Sequence, residues 1–257
     1  MSARPALVIA AILATIGVNG LANALPLNGQ QTGAISNRFD VLFVPAGYVF
    51  SIWGLIYFAL LAYGAYQALP STREDPRVRS VDGLVIGSCV FNGAWIFAWH
   101  YEQFALSLVL MLALLASLIG IYLRLDIGRT RPEGAQRWLL DLPFSIYLGW
   151  ITVATIANAS TVLVYYEWGG WGLSDINWFF VMLCAAQAIA AAMAWTRADA
   201  AYLAVLVWAF AGIAVRHASD VAVMYAALGA ATGTAGLLIW ALLRRRARSA
   251  SASGTPS

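Results

Sequence analysis

The chain has 257 residues, of which 61% are hydrophobic and 11% are charged, and its formal net charge is +3. Soluble domains usually carry about 25% charged residues, so this composition excludes an ordinary soluble protein and indicates a polytopic membrane protein in a lipid bilayer. The small positive charge does not indicate a nucleic-acid-binding protein, because the arginines lie in short loops between apolar segments and form no basic face.

Eight apolar segments approach the length of about 20 residues that a membrane-spanning helix needs. They predict an all-α fold, a polytopic transmembrane helical bundle with about eight spans. The sixth and seventh spans are joined by a very tight turn around Arg197–Asp199. The predicted spans are residues 5–25, 46–68, 80–99, 103–124, 139–165, 176–196, 198–216 and 219–243.

The distribution of arginine supports this count of spans. If the N-terminus lies inside, all arginines except Arg38 and Arg216 fall in segments on the inner side. Arginine favours the cytoplasmic side, so both termini are predicted to be cytoplasmic. The cluster Arg244–Arg248 then meets the anionic inner leaflet, and the Ser/Ala-rich tail, residues 244–257, is predicted to be disordered.

The first span has a second interpretation, as a cleaved signal peptide. Arg4, the apolar run and Ala22-Asn23-Ala24 fit such a peptide loosely. However, the run is longer than a typical signal core, and Asn19 interrupts its second half. A retained first span is therefore the favoured interpretation.

The longest irregular stretch, Pro26 to Ala46, lies between the first two spans. It begins polar and ends apolar. Loops of this length are often lids or binding loops. An amphipathic segment lying on the membrane surface is the alternative, and the sequence favours neither.

Three predicted helices each carry aromatic or amide side chains on one face, because the residues recur at helical spacing. Lipid does not require aromatic stripes, so they indicate packed helices or a flat hydrophobic ligand. The second span carries Phe50, Trp53 and Tyr57; the third carries Ser88, Asn92, Trp95 and Trp99; the fifth carries Tyr147, Trp150, Ala154 and Asn158.

The amides Asn92 and Asn158 should face the bundle interior, because an unpaired amide in hydrocarbon costs several kcal/mol. Each could simply join two helices, in a bond worth about 1 kcal/mol. Aromatic faces that converge with a few amides also describe an apolar ligand pocket. Both interpretations remain open for any single residue.

From about Leu7 to Tyr166 the chain resembles the tryptophan-rich sensory protein family, also called the translocator protein or peripheral benzodiazepine receptor family. Val49-Phe50 with Trp53 and Tyr57 is similar to its second-helix motif. Asn92-Gly93-Ala94-Trp95 is similar to its third-helix motif. Tyr147-Leu148-Gly149-Trp150 with Asn158 is similar to its fifth-helix motif.

This resemblance implies a five-helix core (residues 1–170), whereas the three further predicted spans (residues 171–243) fall outside it. It implies a cavity that binds a hydrophobic small molecule, either a tetrapyrrole such as porphyrin or haem or a sterol-like lipid. Sensing or transport is the implied role, in a bacterial cytoplasmic membrane. The implied ligand-binding residues are Phe50, Trp53, Tyr57, Asn92, Trp95, Tyr147, Trp150 and Asn158, and Trp99 joins them by helical spacing.

Several other chemistries find little support in the residues. The chain has no lysine, which excludes a retinal Schiff base. His100 and His217 both lie at outer helix ends and could ligate haem iron, but the favoured interpretation is that both are ordinary histidines at the membrane interface. The sequence contains no His and Cys residues at the spacing of a zinc site. No nucleophile, base and orienting group can be assembled, so no catalytic residue is predicted.

Acidic and small residues leave further alternatives open. Asp82, Asp141 and Asp220 lie near predicted helix starts, where capping explains them. Asp141 would alternatively suit a proton-coupled transporter. The motif Gly229-Ala-Ala-Thr-Gly233 permits close helix approach, within the chain or in a homodimer. An accessory subunit whose last helices bind a partner protein is the remaining alternative function.

Overall fold

A computed structural model describes residues 3–130, 132 and 134–253, with side chains described up to Ala247. Eight long helices dominate it, and the described residues contain no strand. We number these helices α1 (Arg4–Ala24), α2 (Ile52–Ala68), α3 (Asp82–His100), α4 (Phe104–Arg124), α5 (Leu142–Tyr165), α6 (Asp175–Arg197), α7 (Ala200–Arg216) and α8 (Val221–Ser253).

Short helical turns extend or connect the long helices. A 3₁₀ turn, Gly47–Ser51, leads into α2, and a π turn, Arg137–Asp141, leads into α5. Pro76–Arg79 forms one helical turn before α3. In the first loop lie a 3₁₀ turn, Leu27–Gly29, and a short helix, Thr32–Ser36; Gly170–Gly172 forms a 3₁₀ turn before α6.

Seven of the helical segments are long and apolar enough to cross a bilayer, which confirms the predicted polytopic helical bundle. The remaining predicted span, the seventh in the chain, corresponds to α7, an apolar helix of 17 residues. At 1.5 Å per residue it is about 25 Å long, which is at the lower limit for a membrane span. The seven segments are Arg4–Ala24, Gly47–Ala68, Pro76–His100, Phe104–Arg124, Arg137–Tyr165, Asp175–Arg197 and Val221–Ala247.

The first five helices form a closed ring in the order α1, α2, α5, α4, α3. Helix α1 packs against α2 and α3, α4 packs against α3 and α5, and α2 closes the ring against α5. The segment containing α5 is the most buried of the seven, with 67% of its apolar window inside the protein. A helix that is apolar on all sides is expected at such a central position.

The last three helices pack on the outside of this ring. Helix α7 lies between α5 and α8, and α6 packs against α8 and α7. Close contact between α5 and α7 depends on Gly149, where a Cβ would lie 3.1 Å from the carbonyl oxygen of Tyr202 and 3.1 Å from Val205 Cβ. Small residues at crossing points allow helix backbones to approach in this way.

The tight turn predicted between the sixth and seventh spans is present. Ala198 adopts the left-handed conformation (φ 50°) that ends α6. Asp199 then caps α7, because its Oδ1 accepts hydrogen bonds from the backbone N–H groups of Ala201 and Tyr202. Its Oδ2 accepts hydrogen bonds from Tyr122 and Ser145, at 2.8 and 2.6 Å. One buried carboxylate thus ties α7 to α4 and α5.

The acids near helix starts have different roles. Asp220 caps α8 through the backbone N–H groups of Ala222 and Val223, as predicted. Asp141 makes no capping bond and instead forms an ion pair of 2.7 Å with Arg77. This pair anchors the segment before α3 to the start of α5, at the end of the bundle where most arginines lie.

The first loop folds over the opposite end of the bundle, which we call the loop end. Its apolar half packs into the protein: Val41, Phe43 and Val44 are buried. The backbone N–H of Ala46 donates to the carbonyl of Gly212 on α7, at 3.0 Å. The loop is therefore attached to the bundle and does not lie only on a membrane surface.

Helix α8 continues through the arginine cluster that was predicted to begin a disordered tail. The last residues of that predicted tail, 254–257, lie outside the described residues. Arg244 contacts the carbonyl of Trp195 at the end of α6, and its guanidinium lies over the Trp240 ring. The beginning of the basic cluster is thus packed against α6.

Candidate functional site

A cavity lies inside the five-helix ring, directly beneath the first loop. Its empty volume is about 560 Å³, including the part that opens to solvent. Six of the nine predicted ligand-binding residues line it, from α2, α3, α5 and the turn before α2: Phe50, Trp53, Trp95, Trp99, Trp150 and Asn158.

The aromatic rings pack against one another as well as lining the cavity. Trp95 and Trp99 are stacked, with ring centroids 5.5 Å apart and an interplanar angle of 19°. Trp150 makes edge contacts with Phe50 and Trp53, at 5.6 and 6.2 Å. Such pairs are each worth about 0.5–1.5 kcal/mol beyond the area they bury. These ring contacts hold the walls of the cavity together.

Asn158 is the polar centre of this wall. Its Oδ1 accepts a hydrogen bond of 3.1 Å from Trp95 Nε1, and its Nδ2 donates one of 3.1 Å to Ser107 Oγ on α4. Asn158 thus joins α3, α4 and α5. Its amide helps to hold Trp95 in place. The same side chain therefore both joins the helices and shapes the cavity.

The other three predicted residues form a layer deeper in the ring. Asn92 Nδ2 donates to the Tyr147 hydroxyl at 2.8 Å, and Asn92 Oδ1 accepts from Asn19 Nδ2 at 2.7 Å. Tyr57 stacks on Trp53, with ring centroids 5.4 Å apart. Tyr57, Asn92 and Tyr147 are absent from the lining of the cavity. They support the aromatic residues from below.

The first loop is held over the cavity by His100 at the end of α3. One ring nitrogen of His100 bonds the carbonyl of Leu27 at 3.0 Å, and the other bonds the hydroxyl of Thr32 at 2.9 Å. Trp99 Nε1 also donates to the carbonyl of Thr32, at 3.2 Å. His100 is fully buried, and both of its ring nitrogens are occupied, so it has no free nitrogen for a haem iron.

A polar contact at the loop surface adds to this attachment. Glu102 accepts hydrogen bonds from Gln30 and Arg38 of the loop, at 3.0 and 2.9 Å. The bonds from Gln30 and Arg38 lower the pKa of the Glu102 carboxyl below its usual value. Because this carboxylate is exposed, the pair with Arg38 contributes little to stability by itself.

One polar atom of the wall has no partner. The indole Nε1 of Trp150 is buried and makes no hydrogen bond with any described residue, although Trp150 lines the cavity. An unsatisfied buried donor costs about 1–3 kcal/mol. A ligand with an acceptor atom within reach of this indole would recover that cost.

Sequence reasoning missed several residues of the lining. Three lie on α5, and helical spacing from Trp150 would have identified them, because they continue the face of Trp150, Ala154 and Asn158. Met111 lies on α4, which carries no aromatic or amide stripe, so no pattern indicated it. The residues missed on α5, α4 and the loop are Val153, Ala157, Thr161, Met111, Thr32, Ser36, Val44 and Pro45.

Among the residues that the structure describes, no acidic, basic, histidine or cysteine side chain lines the cavity. Binding of an apolar molecule is therefore better supported than proton transfer or nucleophilic catalysis. Among the described residues, no group of three or more His, Cys, Asp and Glu side chains could hold a metal ion. The arrangement provides flat aromatic surfaces, one amide and one unpartnered indole donor.

Comparison with known proteins identifies one family. The family model described as TSPO-like protein matches residues 5–240, which is most of the chain and includes the C-terminal helices. No curated protein and no solved structure matches the chain.

Proposed function

Because the chain belongs to the TSPO-like protein family, we propose that this integral membrane protein binds one flat hydrophobic ligand in the aromatic cavity beneath its first loop. A tetrapyrrole such as a porphyrin is the favoured ligand, and a sterol-like lipid is the alternative. Ligand binding would serve sensing or transport, since both roles require a reversible complex.

One observation carries this proposal: four tryptophans from three helices converge on one enclosed apolar space. Trp53, Trp95, Trp99 and Trp150 offer ring faces and edges to it. A single flat ring system can contact several of these surfaces at once, and pockets of this kind bury most of the surface of a ligand. Simple packing of helices in lipid needs small residues at the contacts more than indoles.

The lining favours a ligand that binds through contacts with its flat ring over one that binds through coordination of its metal ion by the protein. No histidine or cysteine in the described part of the chain lines the cavity, and His100 above it uses both ring nitrogens on the loop. We therefore expect haem to bind no more tightly than metal-free protoporphyrin IX. The Trp150 indole would donate to an acceptor atom at the ligand's edge.

Titration of the purified full-length protein in detergent tests the proposal. Protoporphyrin IX and haem are added separately, and the Soret band and tryptophan fluorescence are followed. We expect saturable binding in the micromolar range or tighter for the wild type. Trp150→Leu should weaken it at least tenfold, since the substitution removes both ring contact and donor.

The matched control is Trp138→Leu, which removes an exposed tryptophan at the opposite end of the bundle. This variant should bind as the wild type does. Equal, non-saturating signals in all three proteins would show partition of the porphyrin into detergent and would overturn the proposal. Gel filtration and helical circular dichroism confirm that each variant is folded.

We also propose that both termini face the cytoplasm of a bacterial cell. Eight helices that alternate in direction bring the start of α1 and the end of α8 to one end of the bundle, which also holds the described arginines other than Arg38 and Arg216. Such asymmetry favours a cytoplasmic location. Labelling of single cysteines placed near residue 2 and in the first loop, with an impermeant maleimide on intact cells, tests the orientation.

Pairing of two copies is a further proposal for α8. Gly229, Gly233 and Gly236 are exposed on this helix, and a Cβ at Gly229 or Gly236 would meet no other atom within 4 Å. Exposed small residues would let the α8 helices of two copies approach closely. Gly229→Leu should then convert a dimer into a monomer in light-scattering measurements, and an unchanged mass would contradict this proposal.

A further inference from the structure

A second cavity lies at the loop end, between α5 and α6. Its empty volume is about 570 Å³, including its open part, and it shares no lining residue with the aromatic cavity inside the ring. It exists because α6 packs mainly against α7 and α8, which leaves a gap beside α5. The gap is covered by residues 40–43 of the first loop and by the segment that joins α5 to α6.

One wall of the second cavity is a cluster of indoles. Trp168, Trp171 and Trp178 are in mutual contact, with ring centroids 4.9–5.9 Å apart. Trp168 and Trp178 line the cavity, and Trp178 Nε1 donates a bond of 2.8 Å to the carbonyl of Gly170, which holds its ring in place. The faces of indole rings attract cations, most strongly when the cation is partly desolvated.

Two carboxylates, Asp40 and Asp175, lie on the same cavity. Neither forms an ion pair or a hydrogen bond with another residue in the part of the chain that the structure describes. Asp175 begins α6, where the helix dipole favours a negative charge, but Asp40 lies in the loop and has no such explanation. Both carboxylates are therefore available to a cation.

The charges around the cavity favour the same kind of ligand. Among the described residues, the loop end carries five carboxylates and two arginines. Both arginines are engaged elsewhere, because Arg38 binds Glu102 and Arg216 binds Asn37. A surface with this excess of negative charge attracts cations and repels anions. The cavity thus combines aromatic faces, unpaired carboxylates and a negative surrounding potential.

We propose that this second cavity binds an amphiphile with a single positive head group, of the quaternary ammonium type. The head group lies between the Trp168 and Trp178 rings and the carboxylates of Asp40 and Asp175. The apolar tail runs along the side chains between α5 and α6: Leu163, Val164, Phe179 and Met182. The site depends on α6 and is separate from the function proposed for the aromatic cavity.

Equilibrium binding of tritiated hexyltrimethylammonium to the full-length protein in maltoside detergent tests this inference. We expect saturable binding that hexyl sulfate does not displace. The double variant Asp40→Asn, Asp175→Asn should lose at least tenfold in affinity, because it removes both charges and keeps the side-chain size. The double variant with Glu at both positions should retain binding.

The matched control is Glu167→Gln, which removes an exposed carboxylate from the same end of the molecule but not from the cavity lining. It should bind hexyltrimethylammonium as the wild type does. Equal affinity in the wild type and in the double Asn variant would overturn the proposal, and so would equal loss in Glu167→Gln. An unchanged thermal midpoint shows that each variant is folded.

The same head group could come from a membrane lipid or from a soluble organic cation. Short-chain phosphatidylcholine and phosphatidylglycerol are therefore added as competitors. Displacement by phosphatidylcholine alone identifies a choline-headed lipid as the occupant. Displacement by neither lipid supports a soluble cation, and displacement by phosphatidylglycerol alone contradicts the charge preference and overturns the proposal.

Discussion

The indole Nε1 of Trp95 on α3 donates a hydrogen bond of 3.1 Å to Oδ1 of Asn158 on α5. In the five-helix ring α4 separates these two helices, and Asn158 also bonds Ser107 on α4. The wall of the aromatic cavity is therefore tied together by one amide.

Asn158→Leu should lower the thermal midpoint of the purified protein. The substitution keeps the volume but leaves Trp95 Nε1 without its partner and removes the hydrogen bond to Ser107, at a cost of about 1–3 kcal/mol. Asn177→Leu on α6 is the matched control, because Asn177 is exposed, and its midpoint should stay near that of the wild type. An Asn158→Leu protein with an unchanged midpoint would show that the amide does not hold the wall together.

Trp150→Phe should separate the two contributions of the Trp150 indole. Phenylalanine keeps an aromatic ring but removes the Nε1 donor that has no partner among the described residues. We expect the unliganded protein to be as stable as the wild type and protoporphyrin IX to bind about fivefold to tenfold more weakly, since a hydrogen bond contributes about 1 kcal/mol. Unchanged affinity in differential titration would mean that the ligand accepts no bond from this indole.

Release of ligand should become faster as the pH falls below about 4.5. The bonds from Gln30 and Arg38 lower the pKa of the Glu102 carboxyl. They therefore stabilise the loop fully when the pH is above the usual pKa of a glutamate. This stabilisation is lost as the pH falls through the lowered pKa of Glu102. An exposed pair contributes about 0.2–1 kcal/mol, so stopped-flow release should accelerate by up to about fivefold. Glu102→Gln should release ligand faster at pH 7 and lack this dependence. The same pH profile in both proteins would assign the effect to the ligand's own carboxylates.

Gly212→Ala should loosen the joint between the first loop and α7. A Cβ at Gly212 would overlap Val49 Cγ2 and lie 3.1 Å from Pro45 Cβ. Overpacking of this kind costs about 1–3 kcal/mol, so the thermal midpoint should fall. Gly17→Ala on α1 is the control, because no atom lies within 4 Å of its added Cβ and alanine favours a helix by about 1 kcal/mol. A stabilised Gly212→Ala protein would contradict the packing of the loop on α7.

Asp199→Ala should destabilise the protein more than Asp220→Ala, although both residues cap helices. Loss of a cap costs about 1 kcal/mol. Asp199 also accepts bonds from the buried hydroxyls of Tyr122 and Ser145, and leaving these groups without a partner adds about 1–3 kcal/mol. Thermal unfolding of both variants in the same detergent measures the difference. Equal midpoints would show that the hydroxyl contacts contribute nothing.

The aromatic faces were predictable because helical geometry alone places Trp95 and Trp99, or Trp150 and Asn158, on one side of a helix. Their depth in the ring was not predictable. Tyr57 lies one turn below Trp53 on the same face, yet it stacks on Trp53 and is absent from the cavity lining. Which turn of a face meets the open space depends on where neighbouring helices cross.

The contacts that single side chains make with distant segments were also not predictable from the sequence. Asp141 precedes a helix and looks like a cap, but Arg77, from a segment far away in the chain, binds it at 2.7 Å. His100 looked like an interfacial histidine, and it instead holds the first loop through Leu27 and Thr32. Both roles depend on contacts more than 60 residues apart in the chain.

The sequence by itself determined the membrane location, the helical class, the approximate spans and the aromatic faces. These properties follow from composition and from local periodicity, because a bilayer demands apolar helices whose backbone groups are satisfied within each segment. Only the tertiary structure decided the ring order of the helices, the closure of the first loop over the cavity and the gap between α5 and α6. Those features arise from packing between distant segments, where one glycine, such as Gly149, or one buried carboxylate, such as Asp199, sets how closely two helices approach.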